Sequence, residues 1–318
     1  MHSSVQIHCN ACGQEAISLP ISGHFEHAKG RWDYQLYRCS QCGHGQVEPQ
    51  PSVQTLEALY SGYQSRSGTP EADSLGGRLK NRVGALAAAR HLASIADALV
   101  RPVVKMIELA AAVTVPLSTS VPASLQRDTP ILDFGCGSGL WLLRMKHLGF
   151  SNLFGHDFDY GIWKDIRDRG ISISTGEIDN IPKVPFGCVR LHHVLEHLPN
   201  PIETLTRLGQ MLAPGGSLVV GVPNYGAWSA QALAGHWPAL VLPHHLNHFT
   251  DKSLRLAVER AGFRPIETQR NPVFASAEPA MSLGPFRLLP KPMLRRCYYI
   301  WALWHRDGEN LECWAQHP

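Results

Sequence analysis

The sequence predicts an α/β fold, in which helices cover both faces of a largely parallel sheet, preceded by a small cysteine-rich domain. Two observations in the 318 residues support this prediction. An apolar strand ending near residue 134 runs into a glycine-rich turn, and a helix and a second short strand follow. Near the N-terminus, two Cys-x-x-Cys pairs share one local pattern. We therefore expect a metal-binding ribbon at residues 1–50, a helical connector or cap at 51–129, and the α/β domain at 130–318.

The glycine-rich turn follows the strand at residues 131–134. Three glycines alternate with small residues there: Gly135, Gly137 and Gly139. Because glycine has no Cβ, the backbone can turn sharply from strand to helix and lie close against a ligand. Residues 140–148 are typical of the helix that should follow, and Gly149 supplies the left-handed position that ends it. We expect this turn to hold a cofactor.

The next strand, at residues 152–157, is short and apolar and ends in a carboxylate. Asp133 occupies a similar place near the end of the first strand, so two successive strands deliver an acid to one edge of the sheet. The two hydroxyl groups of a ribose fit such an arrangement. The glycine spacing narrows the choice of cofactor, since dinucleotide loops usually read Gly-x-Gly-x-x-Gly and this loop reads Gly-x-Gly-x-Gly.

This loop and several later blocks together resemble class I S-adenosylmethionine (SAM) methyltransferases. The later blocks are residues 176–182, 193–198, 212–222 and 243–250. The resemblance implies a Rossmann-like, seven-stranded methyltransferase sheet with helices on both faces. It also implies, position by position, the residues that bind SAM: Asp133, Phe134, Gly135, Cys136, Gly137, Gly139, Asp157, Phe158, Glu177, Ile178 and His193.

Some of these positions have a chemical reason within the resemblance. Asp157 matches the family acid that binds both ribose hydroxyls, since one carboxylate can accept two hydrogen bonds. Glu177 matches the acid that accepts a hydrogen bond from the exocyclic amine of adenine. Cys136 stands where a small residue is expected, so we assign it to packing rather than to nucleophilic chemistry. The chain departs from the family pattern at Gly187, where many relatives carry an acid, and at Arg190, which interrupts an apolar strand.

The N-terminal pattern consists of two Cys-x-x-Cys-Gly repeats, formed by Cys9, Cys12, Cys39 and Cys42. Each repeat can present two thiolates from one tight loop, which is typical of a zinc ribbon. Four thiolates close the coordination shell, so we expect the zinc to be structural. Two disulfides are the alternative. They require an oxidising compartment, whereas the first residues lack an apolar signal segment, and we therefore expect a cytoplasmic protein.

Charge and hydropathy narrow the choice of partners. The formal net charge is +3, from 29 basic and 26 acidic side chains, without a basic stripe. This balance disfavours nucleic acid. Every apolar run is shorter than the ~20 residues that span a bilayer. A basic cluster precedes the aromatic run at 297–304. We expect these aromatic residues to be buried in a last strand pair or lid, and peripheral contact with a membrane is the alternative.

Residues 208–250 contain no Asp, Glu, Lys or Arg, so we expect them to pack heavily or to line an apolar cleft. Their last part, Pro-His-His-Leu-Asn-His-Phe-Thr, resembles a segment of a broad group of small-molecule methyltransferases, many of which carry an N-terminal zinc ribbon. His245 and His248 in this block are the predicted catalytic residues, because an imidazole can remove a proton from the acceptor. A structural role for both histidines is the alternative.

His193, Glu196 and His197 form a further cluster in the sequence. Certain quinone O-methyltransferases that resemble this fold place carboxylates and a histidine at these positions around a divalent ion. This chain has His193 where the first of those acids is expected. The resemblance therefore does not predict a metal there.

These observations predict SAM-dependent methyl transfer, on oxygen or carbon, to a small molecule such as a sugar nucleotide, a glycan precursor or a lipid-linked intermediate. The order of domains is similar to that of sugar C-methyltransferases. Two alternatives stay open. One is an RNA methyltransferase guided by the ribbon, and the other is a non-catalytic protein that binds SAM or a partner through the same fold.

Overall fold

The computed structural model describes residues 7–28, 30–60, 121–122, 124–158, 164–271, 297–298, 301–302, 304–305 and 307–318. Most of the helical connector predicted at 51–129 lies outside these residues. The chain divides into two compact units. The ribbon unit comprises Met1–Tyr63, Leu191–Gln210 and Val220–Pro318, and the loop unit comprises Gln64–Arg190 and Met211–Val219. The domain boundaries inferred from the sequence stay a prediction.

The described residues form eleven strands and six helices. The strands are β1 (Ala16–His27), β2 (Gly30–Cys39), β3 (Gly45–Glu48), β4 (Ile131–Phe134), β5 (Leu153–Asp157), β6 (Ser172–Thr175), β7 (Phe186–His192), β8 (Leu212–Pro223), β9 (Asn247–His248), β10 (Arg264–Asn271) and β11 (Asn310–Gln316). The helices are α1 (Val53–Tyr60), α2 (Leu140–His147), α3 (Lys164–Asp168), α4 (Pro201–Gly209), α5 (Trp228–Leu233) and α6 (Asp251–Arg260).

Seven strands form one mixed sheet in the spatial order β10-β11-β8-β7-β4-β5-β6. Strands β4, β5 and β6 are parallel neighbours, and β10 pairs with β11 in the antiparallel sense. Helices connect β4 to β5 and β7 to β8, as in other sheets built from crossover units. The seven-stranded α/β sheet predicted from the sequence is confirmed.

In the loop unit, α2 buries Leu142 and Met145, while β4 buries Ile131 and Leu132 completely. These residues recur at the spacings that place apolar side chains on one helix face and along a strand covered on both sides. The helix ends as the sequence predicts, because Gly149 has a φ of 91° and donates its N–H to the carbonyl of Lys146. The glycine-rich turn is thus held between two packed elements.

In the ribbon unit, strands from distant parts of the chain form a four-stranded sheet in the order β1-β2-β3-β9. The ribbon strands bury Trp32, Leu36 and Val47 against Tyr225 and Trp237 of the charge-free segment. This packing accounts for the absence of charge in the later part of residues 208–250, and the expectation that the segment packs heavily is confirmed. The four-residue strand β3 pairs with β9, which contains His248.

The boundary between α4 and β8 differs from the sequence prediction. We expect the helix to continue to Leu212 and the strand to begin at residue 217, whereas α4 ends at Gly209 and β8 begins at Leu212. The chain enters the sheet sooner than predicted because the carbonyl of Met211 accepts a hydrogen bond from the N–H of Phe186. Gly215, with a φ of 71°, then allows the strand to turn through the Pro-Gly-Gly segment.

The sequence predicts that Thr250 caps a helix at residues 251–261 that Gly262 closes. Helix α6 begins as predicted after Thr250 and ends one residue earlier, at Arg260. Thr250 accepts a hydrogen bond from the N–H of Ser253, and the Ser253 side chain accepts from the N–H of Thr250, which completes a capping box. Gly262, with a φ of 94°, follows its last turn. No helix in the described part of the chain has both the length and the apolar character that a membrane span requires.

Candidate functional site

The turn between β4 and α2 is built from glycines in a left-handed conformation. Gly135, Gly137 and Gly139 have φ values of 75°, 51° and 69°, which other L-residues rarely adopt. The carbonyl of His156 accepts the N–H of Gly135 at 2.7 Å and the N–H of Cys136 at 3.0 Å. These bonds fix the start of the turn against β5, and a glycine backbone before a helix is the kind of segment that a cofactor can approach closely.

Asp157 anchors this turn from the end of β5. Its carboxylate Oδ2 accepts the N–H of Gly137 at 2.8 Å. In the strand pairing, Asp133 lies opposite Gly155 and Asp157 lies opposite Thr175, so the ends of β4, β5 and β6 meet at one edge of the sheet. The structure thereby brings Asp157 and the glycine turn together, as the two-acid pattern in the sequence suggests.

The other residues predicted to bind the cofactor differ in their exposure and in the unit to which they belong. Glu177, directly before the 3-10 turn Ile178–Asn180, is exposed, and Ile178 beneath it is buried. Phe134 stacks on the ring of His156 with centroids 5.3 Å apart, whereas Phe158 is 55% exposed. His193 belongs to the ribbon unit rather than to the loop unit.

Asp133 is buried and forms an ion pair with Arg190. The distance from Asp133 Oδ1 to Arg190 Nη1 is 2.6 Å, and the guanidinium lies over the ring of Trp141, 4.4 Å from its centroid. Burial raises the pKa of Asp133, and the positive charge of Arg190 opposes that shift. This pair explains the charged residue in an apolar strand. The sequence contained both partners but no signal that they pair, because they lie on different strands.

Cys136 has the properties of a packing residue. Its thiol is buried, and burial raises its pKa far above the usual value, which removes the thiolate that nucleophilic chemistry needs. A Cβ on Gly155 would lie 2.9 Å from the sulfur, so the two residues are tightly packed. These facts support the assignment of Cys136 to packing.

The four N-terminal cysteines converge on one point. All four Sγ atoms lie within 4.8 Å of one another. The distance from Cys9 Sγ to Cys42 Sγ is 3.6 Å, and that from Cys12 Sγ to Cys39 Sγ is 3.5 Å. Sulfurs around a tetrahedral zinc with bonds of about 2.3 Å lie about 3.8 Å apart, so this four-cysteine cluster fits the ion. The hydrogen bond from the Cys42 thiol lowers the pKa of Cys9.

The knuckles of the four-cysteine cluster contact the predicted histidine block directly. Thr250 Oγ1 donates a hydrogen bond to the carbonyl of Cys42 at 2.7 Å. The buried ring of His44 is hydrogen-bonded to Asn247 Oδ1 at 3.2 Å, and Asn247 Nδ2 donates to the carbonyl of Leu198 at 2.7 Å. The ribbon therefore fixes the position of residues 247–250 through several independent bonds. From the sequence, His44 is a spare histidine that we expect to be solvated, with replacement of one cysteine ligand as the alternative. The structure instead buries it against Asn247, and such buried polar pairs leave no periodic signal in the sequence.

His245 and His248, the predicted catalytic residues, are both buried. The Nδ1–H of His245 donates to the carbonyl of Ala239 at 2.8 Å, and the two imidazole centroids are 6.3 Å apart. Burial lowers the pKa of His245 to about 4 and that of His248 well below its ordinary value, so both rings are neutral near pH 7. Their catalytic role stays a prediction.

Glu196 is a buried acid close to these histidines. Its Oε1 accepts a hydrogen bond from His193 Nδ1 at 3.0 Å, and the backbone of His193 has a φ of 56°. Although burial raises the pKa of Glu196, the hydrogen bond and the charge of His193 lower it to about 2. His197 lies between Glu196 and the histidine block, with its ring packed edge-on against that of His245 at a centroid distance of 4.6 Å. The structure thus brings His193, Glu196, His197 and His245 into one cluster.

Comparison with known proteins agrees with this architecture. The model of a family described as a methyltransferase domain matches residues 106–268, about half of the chain. An uncharacterized 37.1 kDa protein in transposon TN4556 of Streptomyces fradiae is 28% identical over 137 residues, which cover 40% of this chain and 38% of that protein. The mitochondrial ubiquinone biosynthesis O-methyltransferase of Dictyostelium discoideum is 24% identical over 155 residues, covering 39% of this chain and 48% of the relative. The chain thus spans about half the length, or less, of these curated relatives.

Among solved structures, the chain is similar to the 1,6-didemethyltoxoflavin-N1-methyltransferase of Burkholderia thailandensis, which was crystallised with 1,6-didemethyltoxoflavin and S-adenosylhomocysteine bound. The two chains are 15% identical, and the TM-score is 0.47. The match covers 92% of this chain and 98% of the other.

Proposed function

The chain belongs to the methyltransferase domain family, and from this membership we propose that it is an enzyme that transfers a methyl group from SAM to a small-molecule acceptor. The observation that carries the proposal is the bond from the Gly137 N–H to the Asp157 carboxylate, 2.8 Å long. This hydrogen bond joins the backbone of the glycine-rich turn to Asp157, the residue that the resemblance assigns to ribose binding. The three left-handed glycines and the acid at the end of the next strand together form the pattern that the resemblance assigns to SAM binding.

We assign the parts of the loop unit as follows. Asp157 accepts hydrogen bonds from the ribose, the glycine backbone lies along the methionine portion, and Glu177 accepts from the adenine amine. Ile178 gives the adenine an apolar surface. Asp133 holds the turn in place through Arg190, 2.6 Å away, rather than through the ligand. When SAM is bound, its sulfonium supplies an electrophilic methyl group, and the protein's main contribution is to position the acceptor in line with it.

The acceptor that we propose is a small molecule of the sugar nucleotide, glycan precursor or lipid-linked class, methylated on oxygen or carbon. The histidine block resembles that of a broad group of small-molecule methyltransferases, and the domain order is similar to that of sugar C-methyltransferases; both resemblances support this class. The formal net charge of +3 gives no electrostatic support to RNA as the acceptor. His245 and His248 remain the proposed proton acceptors. Both rings are neutral near pH 7 and can take up a proton, and their lowered pKa makes each a weaker base than an ordinary histidine.

We further propose that the four-cysteine cluster binds a structural zinc ion. Four thiolates fill a tetrahedral shell and leave no position for water or substrate, so the ion stabilises the ribbon rather than reacting. The sulfur separations of 3.5 and 3.6 Å support this proposal. Because Thr250 Oγ1 donates a hydrogen bond to the carbonyl of Cys42, zinc would also stabilise the start of α6.

Calorimetric titration with SAM and with S-adenosylhomocysteine tests the proposal without knowledge of the acceptor. Asp157→Ala should weaken binding at least ~100-fold, because two hydrogen bonds to a charged carboxylate are lost, each worth about 1.5–3 kcal/mol. Asp128→Ala, which removes an exposed carboxylate of the same unit, serves as the matched control and should bind like the wild type. Equal affinity in the two variants would remove the ribose assignment. Failure of the folded wild type to bind SAM would refute the proposed function.

A further inference from the structure

The segment that leads into β11 combines positive charge with aromatic and aliphatic side chains. Residues 279–306 contain no Asp or Glu, whereas they contain five Arg or Lys side chains: Arg287, Lys291, Arg295, Arg296 and Arg306. The chain as a whole is nearly balanced, with 29 basic and 26 acidic side chains. We call residues 279–306 the basic segment. Its one-sided charge is typical of segments that lie on an anionic surface.

The described residues at the end of the basic segment expose one aromatic side chain almost completely. The backbone of residues 297–298, 301–302 and 304–305 is helical. Tyr298 and Ala302 are buried, whereas Trp304 is 84% exposed. No other large apolar side chain among the described residues is exposed to that extent. The expectation that this aromatic run is buried is therefore confirmed for Tyr298 and is wrong for Trp304.

Trp304 lies beside two further indole rings. The ring centroid of Trp301, a half-buried residue, is 5.2 Å from that of Trp228, which is 41% exposed. Residues three apart on a helical backbone lie on the same side, so Trp304 extends the surface that Trp301 and Trp228 form. We call these three residues the tryptophan patch. Tryptophan suits the interface between water and lipid, because its ring has an apolar body and one polar N–H group.

The tryptophan patch is held on the ribbon unit by hydrogen bonds that follow it in the chain. Asp307 Oδ2 accepts the N–H of Trp228 at 2.9 Å, and the N–H of Asp307 donates to the carbonyl of Ala302 at 2.9 Å. Asn224 Nδ2 donates to the carbonyl of Gly308 at 2.7 Å. These bonds position the patch before any partner binds, which lowers the entropy cost of docking.

We propose that the tryptophan patch and the basic segment dock the protein on the surface of a bilayer that contains anionic lipids. The positive charge is attracted to the lipid headgroups, and the indole rings enter the interfacial region. Charge complementarity favours this occupant over a second copy of the chain. Two copies that met at this surface would bring two sets of five basic side chains together, which is unfavourable.

Docking at the tryptophan patch bears on the choice of acceptor. At the start of β11, Asn310 Nδ2 lies 3.4 Å from His193 Nε2, so a short stretch of chain joins the patch to the histidine cluster within the ribbon unit. A bilayer at the patch favours the lipid-linked class among the proposed acceptors. That consequence rests on the proposed function, whereas membrane docking does not.

Co-sedimentation of the full-length protein with vesicles tests the contribution of charge. We expect the wild type to bind vesicles of equimolar phosphatidylcholine and phosphatidylglycerol at least ~100-fold more tightly than pure phosphatidylcholine, because each basic residue near an anionic surface contributes roughly a factor of five. The double variant Arg295→Gln, Arg296→Gln should therefore bind the anionic vesicles ~25-fold more weakly. The matched control Arg255→Gln, Arg264→Gln removes the same charge from exposed positions of α6 and β10 and should bind like the wild type.

A second set of variants tests the indole separately from the charge. Trp304→Ser should weaken binding to the anionic vesicles at least ~10-fold, because the large apolar ring no longer enters the interface. Ile266→Ser changes another exposed apolar side chain of the same unit, 61% exposed in the wild type, and should bind normally. Vesicles with brominated acyl chains should quench the tryptophan fluorescence of the wild type more strongly than that of Trp304→Phe.

Several results would overturn the proposal. A folded wild type that does not sediment with the anionic vesicles overturns it, and so does equal binding by the wild type, Trp304→Ser and the Arg295, Arg296 double variant. A dimer that Trp304→Ser dissociates, detected by light scattering in a protein that does not bind vesicles, would show that a second copy covers the patch and would also overturn it.

Calorimetry with SAM on the same proteins separates this proposal from the proposed function. Trp304→Ser should bind SAM like the wild type while it loses vesicle binding. A wild type that binds the anionic vesicles but not SAM would refute the proposed function and leave membrane docking standing.

Discussion

Replacing Arg190 with methionine is the sharpest test of how the glycine turn is held in place. In the wild type the guanidinium lies 2.6 Å from Asp133, and the two side chains are 8% and 2% exposed. Methionine fills much of the same volume and keeps an apolar contact with Trp141, but it leaves the Asp133 carboxylate buried without a partner. Removal of one member of a buried pair typically costs about 3–5 kcal/mol. We expect a loss of that size in the free energy of unfolding at pH 8.

The loss in the free energy of unfolding caused by Arg190→Met should become smaller as the pH falls. Burial alone raises the pKa of Asp133, and in Arg190→Met no positive charge opposes that shift. A group whose pKa is raised on folding takes up protons more readily in the native state, so its contribution to stability is lost as pH rises and recovered as pH falls. The destabilisation of the variant relative to the wild type should therefore be smaller at pH 5 than at pH 8.

Urea unfolding at both pH values measures these differences, with circular dichroism and tryptophan fluorescence followed together so that two-state behaviour is checked. Arg190→Lys keeps the charge but loses the planar contact with Trp141, and it should fall between the wild type and the methionine variant. The double variant Asp133→Asn, Arg190→Met should recover part of the loss. If Arg190→Met changed the free energy of unfolding by less than about 1 kcal/mol, and equally at pH 5 and pH 8, the reasoning would be refuted.

Three further predictions concern packing, capping and reactivity. Gly155→Ala should destabilise the chain by about 1–3 kcal/mol in urea unfolding, because the new Cβ would lie 2.6–2.9 Å from three packed side chains, whereas Gly235→Ala meets no atom closer than 3.7 Å and should change little. Thr250→Ala should cost about 1–2 kcal/mol through loss of the cap and of the bond to Cys42, and Thr250→Ser should restore most of it. Iodoacetamide should leave Cys136 unmodified in the native protein and modify it in urea, as measured by peptide mass spectrometry; modification at the native state would contradict its burial.

The sequence predicted those features that depend on local patterns. Glycines in the turn, the cap at Thr250 and the Cys-x-x-Cys repeats each require a particular residue at a particular spacing, and the structure confirms these local conformations. Contacts between distant residues were not predictable. The pairing of Arg190 with Asp133 and the burial of Glu196 depend on which strands and loops become neighbours, and no spacing in a single chain records that.

The ribbon is directly connected to the segments that carry Glu196, His197 and His245, so it is not a separate domain. β3 pairs with β9, Val47 donates its N–H to the carbonyl of Leu246, and Leu246 donates to Glu196. A continuous set of backbone hydrogen bonds therefore runs from β3, the strand after the second Cys-x-x-Cys repeat, to Glu196. Because a zinc ribbon without its metal loses most of its folding free energy, zinc bound by the cysteines would stabilise the geometry of Glu196 and the histidines without touching them. The lack of charge in the later part of the charge-free segment then has a physical cause, since that part packs against the ribbon strands.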